Sequence, residues 1–385
     1  MLALTADRLF SPLDVVERPL VLVEDGRILE ITRASDRAIP AGARHVDFTG
    51  AVLAPGFVDI HIHGAAGRDV MQADPAGLSA VGALLAKHGV TSYFPTTVTA
   101  PDEATLRALD SLAAAIEGAD TNDGLSAARP RGIHLEGPFL SHTRRGVHPP
   151  SELQSPTLDR FERFWQAARG RIRMMTIAPE LPGAMEVIAE AARRGVCVSL
   201  GHSDADFATA EHGIEAGARH ATHTFNAMRP LGHRDPGILG AVLTDSRVSA
   251  DIIADGIHLD PAIVRLFLKL KGSERSVLIT DGIAATGMPD GLYRLGPLEV
   301  EVKDGRCLSG GSLAGSVLTM DRAVRNVMAF AGWNLPQAIR LATLNPAQAA
   351  GIANSGRLVA GAPADLVVLS SDGNVLQTIV GGQVA

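Results

Sequence analysis

The sequence predicts an α/β protein built on a TIM-like (β/α)8 barrel, with a small β-sandwich domain formed by both chain termini. Three observations predict it. Strand-type and amphipathic helical stretches alternate through the middle of the chain, and both ends carry only short strand–turn–strand patterns. No Gly-x-Gly-x-x-Gly follows the first strand, which disfavours a doubly wound dinucleotide-binding sheet. At 385 residues the chain has room for one barrel of about 250 residues and a small second domain.

Residues 19–24 and 27–31 flank Asp25-Gly26, a dipeptide that tolerates positive φ and marks a hairpin. Residues 364–369 and 376–380, around Asp372-Gly373, have the same texture. Neither end is long enough to bury a sheet alone. Residues 1–54 and 346–385 are therefore expected to meet in one discontinuous domain, with 55–345 forming the barrel. The barrel strands are expected at 57–63, 90–94, 131–136, 171–177, 196–202, 220–225, 247–254 and 276–281. Helical periodicity at 75–88, 102–117, 182–194 and 261–270 supplies examples of the covering layer. The stretch 285–312, rich in Gly and short apolar pieces, reads as an excursion after the last strand.

Composition narrows the function. Hydrophobic residues make up 46% and charged residues 20%, enough for a sizeable core. A net charge of −7 argues against a nucleic-acid surface, which needs a basic field, but leaves room for a single phosphate held by local cations. No apolar run reaches membrane-spanning length, and the first residues lack a secretory pattern, so a cytoplasmic location is expected. Cys197 and Cys307, far apart and in apolar or small-residue settings, read as unpaired thiols.

In such a barrel the active site forms at the C-terminal ends of the strands. There the sequence places His61 and His63, Glu136, His202, His223 and Asp281. His61 and His63 alternate with apolar neighbours, so both imidazoles share one face of a strand. Each residue also has a plain reading: Glu136 as a turn cap, His202 as a histidine near a helix start, His223 as a partner of His220, and Asp281 as an Asp-Gly turn. All of these would have to coincide at the same depth of successive βα units, and a metal site accounts for them together. His88, His212 and His220 lie in helical stretches or away from the strand ends, and His45 and His142 carry no role. His134 shares the strand face of Glu136 and is a candidate for a supporting part.

These segments resemble the amidohydrolase superfamily and, within it, the N-acetylglucosamine-6-phosphate deacetylase branch. The resemblance covers essentially the whole chain. It rests on Pro55-Gly56-Phe57-Val58-Asp59-Ile60-His61-Ile62-His63-Gly64, His134-Leu135-Glu136-Gly137-Pro138-Phe139, Gly201-His202-Ser203, His223-Thr224-Phe225-Asn226-Ala227-Met228 and Thr280-Asp281-Gly282. To these are added Gly311-Ser312-Leu313-Ala314-Gly315-Ser316 and Asn345-Pro346-Ala347. Many members of the superfamily bridge two metals with a carboxylated lysine. No lysine lies in 131–136 or 171–177, and the resemblance implies that Glu136 takes the bridging place.

The resemblance implies metal-dependent removal of the acetyl group from a phosphorylated amino sugar. Glu136, His202 and His223 would bind the principal ion, with His61 and His63 offering a second site. Members that replace those two histidines by amides use one metal; this chain keeps both. Zinc or iron suits the nitrogen and oxygen donors, one or two ions per subunit. Asp281 would be the catalytic acid/base, and His148 would stabilise the developing oxyanion. Asn226, the backbone of Ala227, and Leu313 would meet the sugar, and Arg234 and His258 the phosphate. A homodimer is expected, because related enzymes complete part of this pocket across a subunit interface. The N-acetylgalactosamine 6-phosphate epimer is an open alternative substrate, and a non-catalytic scaffold of the same fold is a more distant one.

Overall fold

The computed structural model describes residues 1–72, 74–121 and 126–385. The alternating middle of the chain forms β1 (Phe57–Ile62), β2 (Val90–Thr97), β3 (Ile133–Glu136), β4 (Ile172–Ile177), β5 (Cys197–Leu200), β6 (His220–Ala221), β7 (Ser249–Ile252) and β8 (Ser276–Leu278). They pair in parallel in that order, and a two-residue strand, Arg129–Pro130, also pairs with β2. The barrel closes where Ile62 bridges Gly282. The His63 amide donates there to the Gly282 carbonyl at 2.8 Å, and the Asp281 amide to the His61 carbonyl at 2.9 Å.

Every residue of β1 and of β2 is buried. One face fills the barrel and the other meets the helices, so these strands read as near-continuous apolar runs rather than as an alternation. The helix Pro75–Lys87 shows how the covering layer is specified. Asp74 caps it by accepting the Gly77 amide at 2.6 Å, Pro75 begins it, and Leu78, Val81 and Leu85 form its buried stripe. The helix expected at 261–270 runs on as Pro261–Arg275, with Gly272 at φ 69° breaking its geometry near the end.

The chain ends meet in a second body, as expected. Residues 44–55 pair in parallel with Leu2–Phe10 and antiparallel with Leu366–Leu369, joining both termini in one eight-stranded sheet. Its far edge, Arg27–Arg33, returns to the 361–364 segment through Arg27 and Pro363. Leu4, Val21, Ile28, Leu53, Leu366 and Ile379 enclose a separate core there. The excursion after β8 is more ordered than its composition suggests. It forms an antiparallel sheet of four strands between Gly291 and Leu313, with Val300, Val302 and Cys307 packed on Val98 and Ile283. Cys197 and Cys307 are both free thiols. Among the described residues, no helix is long and apolar enough to cross a membrane.

Candidate active site

The six ligand-type residues converge at one end of the barrel. His61 lies within β1 and Glu136 ends β3, while His63, His202, His223 and Asp281 lie just past their strands. The strands stop sooner than the sequence suggests, and the backbone shows why. His202, His223 and Asp281 sit at φ 47°, 27° and 51°, a region that breaks the ladder and that residues with a Cβ seldom occupy. All six are buried.

Glu136 organises the set. Its Oε1 lies 3.2 Å from His202 Nε2 and 3.1 Å from His223 Nε2. Its Oε2 lies 3.6 Å from His61 Nε2 and 3.3 Å from His63 Nε2. Each oxygen thus faces its own pair of imidazoles, and within each pair the Nε2 atoms are 3.1 Å and 3.2 Å apart. Donor atoms around a tetrahedral ion with bonds near 2.05 Å stand about 3.3 Å apart, so the spacing matches a coordination shell. Asp281 Oδ1 joins the second pair, 3.4 Å from His61 and 3.2 Å from His63.

Hydrogen bonds set the tautomers. His63 donates from Nδ1 to the Thr96 carbonyl at 3.0 Å, and His202 from Nδ1 to the Arg144 carbonyl at 2.9 Å. In the neutral ring that leaves Nε2 as a lone pair aimed at the cluster. His134, the supporting candidate, donates from Nδ1 to the Ile60 carbonyl at 3.1 Å and pairs with Thr176 Oγ1 at 2.8 Å. Its ring stands edge-on against His61, 4.6 Å between centroids.

The charges require a cation. Burial would raise Glu136, but the positive field of His61 and hydrogen bonds from His202, His223 and His61 hold it well below its ordinary value. Burial likewise works against Asp281, and the charges of His61 and His63 with the His63 bond bring it to about 2. Burial would lower His63, yet hydrogen bonds to Asp281 and Glu136 and their charges lift it to about 10. His223 is carried against its burial to about 9, chiefly by Glu136. Without a metal, protons must supply the positive charge that these carboxylates demand; a divalent ion replaces them.

His148 behaves differently. The Thr99 amide donates to its Nδ1 at 3.3 Å, which places the ring proton on Nε2, 3.7 Å from Glu136 Oε2. Although it lies within reach of a ligand triad with Glu136 and His202, this tautomer makes it a donor rather than a metal ligand. Burial, then the charge of His202, lowers it to about 3, so it remains neutral.

A cavity of about 180 Å³ opens over the cluster, and Asn226, Ala227, His258 and Leu313 are among the residues that line it. His258 is held by Asp255 through Nδ1 at 2.7 Å. Arg234 is exposed and outside that lining, and its neighbour Asp235 is paired with Arg229. Val98, Val147, Ile253 and Leu295 complete the walls without having been singled out. Asp59 was also passed over. Its carboxylate accepts the His61 and Thr280 amides and the Thr280 hydroxyl, tying β1 to the end of β8 beneath Asp281. A lone acid in a fully buried strand was the available signal.

Residues 52–385 match the model of the amidohydrolase family. The chain belongs to that family. This amidohydrolase is 37% identical over 366 residues to the N-acetylglucosamine-6-phosphate deacetylase of Lysinibacillus sphaericus, covering 94% of this chain and 92% of that one. It is also 37% identical to the N-acetylgalactosamine-6-phosphate deacetylase of Escherichia coli O157:H7, covering 93% and 94%. Its fold superposes on a variant of the N-acetyl-D-glucosamine-6-phosphate deacetylase of Mycobacterium smegmatis, in complex with N-acetyl-D-glucosamine-6-phosphate. The TM-score is 0.92 at 38% identity, over 100% of this chain and 98% of that one. In this amidohydrolase the clustered His, Glu and Asp side chains form a donor set for a divalent metal.

Proposed function

We propose that this amidohydrolase hydrolyses the acetamide of N-acetyl-D-glucosamine 6-phosphate, giving D-glucosamine 6-phosphate and acetate. The reading is carried by Glu136, whose two oxygens face separate pairs of imidazoles beside Asp281 and a neutral His148. The full-length similarity to deacetylases of phosphorylated amino sugars supports it.

Glu136, His202 and His223 would hold the principal ion, and His61 and His63 a second, with Glu136 between them. Zinc or iron fits these donors. When bound, the ion lowers the pKa of a water toward neutrality and polarises the amide carbonyl. Asp281, ionised at every working pH, accepts the proton of the attacking water and returns it to the leaving nitrogen. The Nε2–H of His148 donates to the carbonyl oxygen as negative charge develops there. Asn226, the Ala227 backbone and Leu313 would bound the sugar, and His258 the phosphate. Arg234, exposed on its own subunit, would reach a pocket across the interface of a homodimer. The two free thiols agree with a reducing, cytoplasmic setting. The pairing of 44–55 with 366–369 supports bringing both ends of the chain into one small domain, proposed as 1–54 with 346–385 beside a barrel of 55–345.

Steady-state kinetics on N-acetylglucosamine 6-phosphate, its galacto epimer and unphosphorylated N-acetylglucosamine test the reading. The 6-phosphate of the gluco sugar is expected to give the highest kcat/KM. Preference for the galacto epimer, which the E. coli relative makes the second reading, would replace the substrate. Equal rates with and without phosphate would remove the phosphate contacts.

A further inference from the structure

His223, like His61, is held differently from His63 and His202 around Glu136. His63 and His202 each donate from Nδ1 to a backbone carbonyl, which fixes the ring and leaves Nε2 for a metal. The Nδ1 of His223 is buried and has no hydrogen-bond partner among the described residues. Its ring is therefore aimed by its own backbone, and that backbone sits at φ 27°. A residue with a Cβ stays in such a conformation only when its surroundings impose it.

The imposing group comes from β7. The β6–β7 ladder ends at the pair Ala221 and Ala250. From there Asp251 takes over: its carbonyl accepts the Thr224 amide at 2.9 Å, and its Oδ1 accepts the His223 amide. Its Oδ2 faces His220 Nε2 at 2.8 Å. Among the described residues His220 Nδ1 has no partner, and its Nε2, facing a carboxylate that can only accept, donates to Asp251. Asp251 and His220 are both fully buried. An apolar pair would fill this space without desolvating a carboxylate, so packing does not account for them. What they do supply is an acceptor, locked in one orientation, under the turn that carries His223.

We infer that Asp251, itself oriented by His220, is a positioning residue that fixes His223 at the metal. The inference rests on the metal-dependent reading above and adds residues outside the donor set to it.

Metal-stripped protein titrated with Co(II), followed by visible absorption and by equilibrium dialysis, tests it. Asp251→Ala and His220→Leu are each expected to weaken binding roughly 10- to 100-fold and to shift the visible bands, as losses of supporting partners do. His220→Gln, which keeps an N–H donor, is expected to recover most of the affinity. Unchanged affinity and spectrum in folded Asp251→Ala or His220→Leu overturn the inference, even where the melting temperature falls. Where Asp251→Ala does not fold, His220→Leu decides alone. Wild-type protein that takes up no Co(II) overturns the metal-dependent reading and this inference with it, whereas unaltered variants overturn the inference only.

Discussion

Asp281 and His148 border one cavity, and their surroundings suit them to different tasks. Asp281 keeps its charge because His61 and His63 outweigh its burial; His148 stays neutral because burial dominates. Asp281→Asn is therefore expected to lower kcat by about 10²–10⁴-fold, while elemental analysis still finds metal at the Glu136, His202 and His223 site. Undiminished turnover would remove Asp281 from the mechanism. A second expectation concerns pH. His63 and His223, raised to about 10 and about 9 in the metal-free protein, are protonated below those values. Metal must expel these protons, so its apparent affinity should strengthen as pH rises toward 9 and level off above 10. Each proton released contributes up to about tenfold per pH unit. Calorimetry in two buffers of different ionisation enthalpy measures that release; none at pH 7 would contradict the assigned charges. The donor residues were legible in the sequence because metal chemistry admits few side-chain types and the barrel puts them at strand ends. Thr99, which sets the His148 tautomer, and Asp251 were not, because their roles arise from hydrogen bonds between elements far apart in the chain.

At the scale of elements, the eight strands were readable from their apolar runs and the helices from their caps and stripes. Strand ends were not. The sequence carries His223 and Asp281 on as β-structure, whereas the fold bends the backbone at both to present their side chains. The Gly291–Leu313 sheet was read only as an excursion, since its strands are short and its inner face packs on residues as distant as Val98. The seam between β1 and β8 offers a sharp test. A Cβ on Gly64 would lie 2.3 Å from the Arg68 carbonyl oxygen and 2.9 Å from the Ala284 nitrogen. Backbone atoms on both sides leave no room to yield. Gly64→Ala should cost about 1–3 kcal/mol, seen as a lower urea midpoint with an unchanged m-value. A wild-type midpoint would mean the seam tolerates opening.

Across the whole molecule, the terminal sheet and the barrel share more than a boundary. Val367 and Leu369 belong to the same apolar cluster as Phe57 and Val90. The Thr378 hydroxyl donates to the Ala86 carbonyl at 2.6 Å, a contact buried between the sheet and the helix Pro75–Lys87. Deleting residues 366–385 should therefore unfold more than the small domain. Cooperative urea unfolding followed by circular dichroism is expected to disappear, and a truncated chain that kept the wild-type transition would show the barrel to be self-sufficient.

The pairing of Pro55 with Leu366 also bears on how the protein is made. It closes a loop of roughly 300 residues, a contact that chain entropy allows but reaches slowly. During translation, the 44–55 strand emerges with one edge lacking its partner until the whole barrel has been synthesised. For that interval an apolar strand edge is open to the wrong neighbour. Emergence of residues 366–369, rather than completion of the barrel, is then the step at which the nascent protein becomes safe from self-association.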